Sequence, residues 1–371
     1  MTIFFTVLFY TFLVTSAIQV AYYIVFLSCF AVKKPSKTQG HDISVSVIIC
    51  AKNEAENLKK NLPSFLNQDY RNFELVLIND SSSDETFEIM EAFAEKHNNI
   101  KLVNVKSIEP FWGNKKYALT LGIKAATHEF LLFTDADCKP VSNRWIKEMS
   151  SHFNNKASIV LGYGAYKKVK NSFLNKLIRF ETLMTAIQYF SYAKTGNPYM
   201  GVGRNLAYRK EQFFKQNGFI NHMQIRSGDD DLFINETANK KNTAICYSEN
   251  SFTISEPKHS FNDWITQKRR HISTAKHYKF LDKFLLGTFY ISQILFYTLS
   301  IILLITIFQW KIVISVLALR FTLQIFTIGF SGKKLNEKDL IYFAPFLEIF
   351  LIIMQLVIFS ANLISKPKHW K

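Results

Sequence analysis

From Ile3 to Val32 the chain carries no charged side chain, and a helix needs only ~20 apolar residues to cross the hydrocarbon of a bilayer. The segment therefore predicts a transmembrane helix. A cleaved secretory signal is the alternative, but the run lacks a basic leader and is longer than the apolar stretch of a signal. Three further apolar blocks follow at Leu285–Phe308, Ile312–Phe330 and Leu340–Ile364, the second of them interrupted by Arg320 and the third by Glu348. A charge at mid-membrane costs about 3 kcal/mol on insertion scales. These two are expected to face the interior of a helix bundle and pair, unless Arg320 snorkels from a tilted helix to the interface. Charged residues crowd into the middle of the chain, so the 48% hydrophobic average conceals two kinds of segment. The expected organisation is a transmembrane helix over 1–32, a water-soluble type of domain over 41–283, and a transmembrane region of about three helices over 284–371.

Lys+Arg outnumber Asp+Glu by 45 to 29, a net +16. Lys33, Lys34 and Lys37 follow the first helix, and the positive-inside rule then places the central domain in the cytoplasm of an integral membrane protein. Four spans would put Lys333, Lys334 and Lys338 on the same side but leave Lys366, Lys368 and Lys371 opposite, a violation of the rule. The excess charge suits membrane lipids of an anionic leaflet. Without a clustered basic stripe or a recognition motif, nucleic acid is not an expected partner. The four cysteines, Cys29, Cys50, Cys138 and Cys246, have neither CxxC nor Cys/His ligand spacing, which argues against zinc or a disulfide framework and for a reducing compartment.

In the middle, short β-branched runs alternate with helical stretches. Strands are expected at Val45–Cys50, Phe73–Ile78, Lys101–Val105 and Phe130–Thr134, with helices at Asn53–Asn67, Asp84–His97 and Lys115–Ala126. This is the pattern of a mainly parallel α/β sheet with right-handed crossovers, in which ligands bind beyond the carboxyl ends of the strands. Three polar clusters fall there: Lys52-Asn-Glu54, Asn79-Asp-Ser-Ser-Ser-Asp84 and Asp135-Ala-Asp137. An Asp-x-Asp alone is usually a solvated turn. At a strand end beside two other acidic clusters, Asp135 and Asp137 suit a shared Mn2+ or Mg2+, hard cations that take oxygen ligands and substrate phosphates. Between the two halves, Phe173–Phe190 has apolar residues at helical spacing, cations on the other face and too much polarity to span. It is expected to be an interfacial helix, with a core-facing helix as the alternative.

From about Ser44 to about Tyr278 the chain resembles the membrane-anchored family 2 glycosyltransferases of the GT-A fold, the group that includes the cellulose, hyaluronan and chitin synthases. Ser46-Val-Ile-Ile-Cys-Ala-Lys-Asn-Glu54 looks like the family's opening strand and Asn-Glu turn. Leu75-Val-Leu-Ile-Asn-Asp-Ser-Ser-Ser-Asp84 is similar to its nucleoside-gripping acidic motif, with Asn79 in place of the first Asp. Gly113-Asn-Lys-Lys-Tyr-Ala-Leu119 matches a Lys-x-x-Ala-Leu element and gives Lys115 the diphosphate, with Lys116 as fallback. Phe133-Thr-Asp-Ala-Asp137 matches the metal-binding Asp-x-Asp. The resemblance thus implies a nucleotide-sugar donor bound by Glu54, Asn79, Asp80, Lys115 and Asp135, with Asp135 and Asp137 on the metal.

Downstream, Gly201-Val-Gly-Arg-Asn205 looks like the family's acceptor-side glycine turn, with Gly203 in it. Ser227-Gly-Asp-Asp-Asp-Leu232 looks like its catalytic acidic motif, which gives Asp229 as base and Asp230 as rival. Carboxylates at a helix start also serve as ordinary charge caps. Trp264-Ile-Thr-Gln-Lys-Arg-Arg-His271 resembles the Gln-x-x-Arg-Trp motif, so Gln267, Arg269 and Arg270 are expected at the diphosphate or acceptor. His271 stands at the Trp position, and the resemblance stops short of processive export. The implied function is inverting transfer from a nucleotide sugar, a UDP-sugar foremost, to a saccharide or lipid-linked acceptor at the cytoplasmic membrane face, in glycan or polysaccharide biosynthesis. Alternatives are a polyprenyl-phosphate glycosyltransferase, a processive synthase, or a nucleotide-binding membrane scaffold without turnover. The sequence leaves the oligomeric state open.

Overall fold

The computed structural model describes residues 2–31, 43–106, 115–225 and 227–365. Lys33, Lys34, Lys37, Gly113, Asn114 and the basic tail Lys366, Lys368 and Lys371 lie outside the described residues. The strands are β1 Val45–Ala51, β2 Phe73–Asp80, β3 Ile100–Val105, β4 Phe130–Asp135, β5 Cys138–Pro140, β6 Ile159–Leu161, β7 Gly164–Tyr166, β8 Leu206–Arg209, β9 Thr243–Ile245 and β10 Thr253–Ser255. The helices are α1 Thr2–Ala31, α2 Ala55–Leu66, α3 Thr86–Ala94, α4 Lys115–Ala125, α5 Trp145–Ser150, α6 Phe173–Thr195, α7 Lys210–Lys215, α8 Asp231–Thr237, α9 Phe261–Ile272, α10 Phe280–Ile305, α11 Trp310–Lys334 and α12 Ala344–Ile364.

Among the described residues the main sheet has the order β3-β2-β1-β4-β8-β6-β9. Its first four strands run parallel, as the alternation of strands and helices predicts. Strand β8 runs antiparallel to β4 and β6, a reversal the sequence pattern did not announce. A small sheet β5-β10-β7 flanks it. Successive strand side chains point to opposite faces. Ile48, Val76, Ile78, Leu131 and Phe133 enter one apolar cluster, while Val47, Ile49, Leu75, Leu77 and Leu132 enter the other with Leu58, Met90 and Trp145. With both faces covered, the carboxyl edge of the parallel strands is the part left for a ligand.

The first cluster also takes in Tyr23, Phe26 and Phe30 of α1, Phe289 of α10, Ile328 of α11 and Leu347 of α12. The expected boundary at residue 283 is therefore no gap in packing, because one core runs from the sheet into the terminal helices. Most of α6 is buried, against its expected interfacial position. Its cation Arg179 is not on a solvated face but forms a buried pair with Glu337 and a bond from Nη1 to Asp339 Oδ2 at 3.0 Å.

Four described helices are long and apolar enough to cross a membrane: α1, α10, α11 and the segment Lys338–Ile364 that holds α12. Where α1, α10 and α11 meet, Phe9, Phe12, Phe296, Leu303 and Val313 form a separate apolar cluster. Arg320 and Glu348 pair as expected, through two bonds of 2.7 and 2.6 Å. Around them Gln19 and Tyr23 of α1, Gln293 and Tyr297 of α10 and Gln324 of α11 complete one hydrogen-bonded hub. Removing one partner of such a pair strands the other charge, while removing both does not. Arg320→Met should lower stability by about 3 kcal/mol and Arg320→Met/Glu348→Met should regain most of it. Thermal unfolding in detergent checks this, and equal losses in the two variants would contradict it.

The fourth apolar helix is also tied to the domain. At the start of α12, Phe350 packs on Phe173 and Lys176 sits over Phe343, while at its end Arg269 of α9 bonds to Asn362 and Ser365. A 21-residue helix spans about 31 Å at 1.5 Å per residue, yet both ends meet the same domain. Helix α12 thus packs on that domain near both of its ends. Lys194 bonds to the carbonyl of Ser28 near the end of α1, and Lys334 at the end of α11 lies over Tyr247.

Candidate active site

The Asn-Glu turn after β1 and the serine-rich turn after β2 are laced together. Glu54 N donates to Thr86 Oγ1 at 2.8 Å, Ser83 N to Asn53 Oδ1 at 2.8 Å, and Asp84 accepts from Ala55 N and Thr86 N. These bonds fix the strand exits and leave Glu54 and Asp80 on the wall of a cavity of about 1240 Å3. Asn79 is a correction. It is buried off that wall, with Nδ2 donating to Asn104 and Oδ1 accepting from Ser82 N. The residue at this edge that reaches the cavity is Asp80, whose carboxyl is pushed up by burial against the pull of Lys52 and Lys115.

Lys115 opens α4 and holds the two halves of the site together. Its Nζ bonds to Asp135 Oδ1 at 2.8 Å and pairs with Asp229 Oδ2 at 3.0 Å. Burial works against its charge, but Asp135 and Asp229 hold the ammonium well above its usual range. Burial likewise opposes ionisation of Asp229, and Lys115 overcomes it and keeps that carboxyl below its usual range. Lys116 has a separate task. It is buried, and Nζ donates to the carbonyls of His222, Ile225 and Ser227 at 2.7 to 2.8 Å, pinning the loop that leads to Asp229. Lys116→Met would leave these acceptors without their cation, so a loss on the order of 2–3 kcal/mol is expected. An unchanged unfolding midpoint would show that the ammonium is dispensable.

The acidic triplet divides its work. Asp230 accepts from Gly203 N at 2.6 Å and from Asp231 N at 2.7 Å, which ties the glycine turn to the start of α8. A Cβ at position 203 would come to 3.3 Å from Asp230 Oδ2, so the glycine permits this close approach. Burial and the neighbouring Asp229 and Asp231 push Asp230 up to about 7. Asp231 turns inward to Thr274 and Tyr278, joining α8 to the segment before α10.

Helix α9 sorts its own residues. Gln267, Arg270 and His271 line the cavity, and Arg270 lies within the field of Asp229, Asp135 and Asp230. Arg269 is a second correction: its guanidinium bonds to Ala361, Asn362 and Ser365 at the end of α12, away from the acidic cluster. One residue on a helix is a rotation of about 100°, so the two arginines face different partners. Arg204 was not singled out from the sequence, although the glycine turn contains it. It bonds to Ser255 Oγ at 2.7 Å and Ala165 O at 3.1 Å, stacks 4.2 Å over Tyr166, and offsets part of the burial and Asp135 charge that raise the Asp137 carboxyl.

Ligand atoms of Asp135, Asp137 and Cys138 lie within 4.8 Å of one another. Burial keeps the Cys138 thiol well above its usual range, and it donates to Asp137 Oδ1 at 3.4 Å. A protonated thiol is no ligand for a hard cation, so the donors that remain are carboxylate oxygens, the set that suits Mn2+ or Mg2+. Burial and the charge of Asp135 both raise Asp137, a repulsion that a divalent ion relieves.

Glycosyl transferase family 2 matches over residues 46–215. The match covers a little less than half of the chain. The poly-beta-1,6-N-acetyl-D-glucosamine synthase of Staphylococcus epidermidis is 36% identical over 93 residues, 25% of this chain and 21% of that protein. The cholesterol galactosyltransferase of Borreliella burgdorferi is 34% identical over 97 residues, 26% of each. The chain thus spans about a quarter of the length of these curated relatives. Among solved structures, a mannosyltransferase from Pyrobaculum calidifontis in complex with GDP-Man and Mn2+ superimposes with a TM-score of 0.54 at 17% identity, covering 86% of this chain and 99% of that one. The central domain therefore has the GT-A fold, with apolar helices before and after it.

Proposed function

We propose that the protein is an inverting glycosyltransferase that uses a nucleotide-sugar donor on the cytoplasmic side of a membrane. The observation that carries this reading is Lys115, which bridges Asp135 at the donor edge and Asp229 at the acceptor side of one cavity. Asp229 takes the proton of an acceptor hydroxyl, the oxygen bonds to the anomeric carbon, and the bond from that carbon to the diphosphate breaks. The nucleoside diphosphate departs with the electron pair. One base and one leaving group make a single displacement, which inverts the anomeric centre.

Lys115 and Arg270 supply positive charge for the diphosphate, and a guanidinium can bind it through two bonds. Asp135 and Asp137 would hold Mn2+ or Mg2+, whose charge, when bound, stabilises the leaving diphosphate. Asp229 is preferred over Asp230 as base because each Asp230 oxygen already takes a backbone N–H. A diphosphate also competes with Asp229 for Lys115, so donor arrival frees the base as it is needed. The ends of α1 and α11 and both ends of α12 lie on the domain's side, and with Lys333, Lys334 and Lys338 there the positive-inside rule supports a cytoplasmic domain.

Purified full-length protein, incubated with Mn2+ and a panel of labelled UDP- and GDP-sugars, should release nucleoside diphosphate from one of them. Partition of the label between water and organic solvent then reports the acceptor class. Absence of release across the panel in native membranes would contradict the reading.

A further inference from the structure

The acidic cluster is only one end of its cavity. The same space continues past Arg270 and His271 of α9 and enters the gap between α10 and α12. There the wall is mainly apolar, with Leu286 and Phe289 on one side and Leu351, Met354, Ile358 and Phe359 on the other, and Tyr290, Gln293, Gln355 and Asn362 as its polar members. Positions 286, 287 and 290 form one face of α10, and 351, 354, 355 and 358 one face of α12, the spacing of residues stacked on a single helix face. Between the faces lies Gly287, where a Cβ would meet nothing within 4 Å. At the far end Leu363, 89% exposed, and the half-open Phe359 both line the cavity and face outward. The opening is thus apolar and sits beside a helix of membrane-spanning composition.

Resting on the transferase reading, we infer that the acceptor is a membrane lipid whose hydrocarbon tail lies between α10 and α12 and whose hydroxyl-bearing head reaches Asp229. The two ends of the cavity differ as the two ends of an amphiphile do: carboxylates and cations at one, a mainly apolar wall of Leu, Met, Ile and Phe at the other. A tail already in the bilayer enters such a groove laterally, without exposing its CH2 groups to water. A glycan would meet mostly apolar side chains here, with few partners for its hydroxyls beyond Tyr290, Gln355 and Asn362. On the head side, Glu181, Thr185 and Gln188 present one face of α6 to the cavity, giving a polar wall for the head.

The test uses full-length protein in phosphatidylethanolamine/phosphatidylglycerol vesicles doped with a diacylglycerol that carries a diazirine at the end of one acyl chain. After irradiation, adducts are mapped by mass spectrometry. They should concentrate on Leu286, Met354 and Ile358, above the level at lipid-facing Ile291 and Ile301. Gly287→Phe should abolish the excess from one wall and Met354→Trp should reduce it at Leu286 and Ile358 from the other, with Ile291→Phe as the control that leaves it intact. Uniform labelling of all exposed apolar positions, or an excess untouched by both filling variants in folded protein, overturns the tail site. Binding of UDP-N-acetylglucosamine and GDP-mannose with Mn2+, measured on the same vesicles, reports separately on the donor site, so failure of the tail site and failure of the transferase reading are distinguishable.

Discussion

Asp229→Asn should bind nucleotide sugar at least as tightly as the unaltered protein does, since an amide competes less with the diphosphate for Lys115, and turn it over about 10²–10⁴-fold more slowly, the usual contribution of a general base. The substitution keeps the shape of the side chain and its contact to Lys115 while removing the basicity. Donor binding rests on the other end of the Lys115 bridge, at Asp135, which the change does not touch. Asp230→Asn should behave differently. An amide can accept the Gly203 N–H or the Asp231 N–H through its oxygen but not both through two oxygens, so the glycine turn should loosen and stability should fall along with rate. Single-turnover rates and donor affinity for the two variants separate these outcomes. A rate loss confined to Asp230→Asn, with Asp229→Asn near normal, would move the base by one residue.

Asp137→Ala should lower turnover by at least ~10³-fold, since several kcal/mol of leaving-group stabilisation is lost with a metal ligand and each 1.36 kcal/mol is tenfold. Fold stability should stay close to that of the parent. Asp137 is raised by burial and by Asp135, so its removal relieves repulsion rather than breaking a bond network. Metal-dependent donor binding, measured by calorimetry with and without Mn2+, should vanish in the variant. The parent should lose activity in EDTA and regain it with added Mn2+ or Mg2+. Full activity of the parent in EDTA would contradict the metal assignment.

The parallel half of the sheet was legible because buried strands read as short, largely apolar runs, and Val45–Cys50 and Phe73–Ile78 are such runs. Arg320 and Glu348 were legible as partners because each is a single charge in an otherwise apolar block. What could not be read depends on partners distant in sequence. The pairing of Arg179 with Glu337 and Asp339 spans 158 and 160 residues, so α6 looked solvated on one side. The packing of α12 on the domain is set by contacts at its two ends, and hydropathy sees only its apolar middle. Within motifs, neighbours diverged: Lys115 faces the carboxylates and Lys116 the loop carbonyls, while Arg270 faces the cavity and Arg269 the end of α12. A motif names the stretch, and helix rotation decides which residue reaches the site. Arg204 carried a weaker signal, a cation directly after the glycine turn, that only the fold turns toward Asp137.

The most direct measurement is nucleoside diphosphate release and product configuration from one labelled nucleotide sugar, run side by side on the parent protein and Asp229→Asn in the same vesicles with Mn2+. The account predicts release by the parent, a product of inverted anomeric configuration by NMR, and release lost in the variant despite intact donor binding. Equal release by both proteins, or a product that retains the donor's configuration and so demands a covalent intermediate, would contradict it.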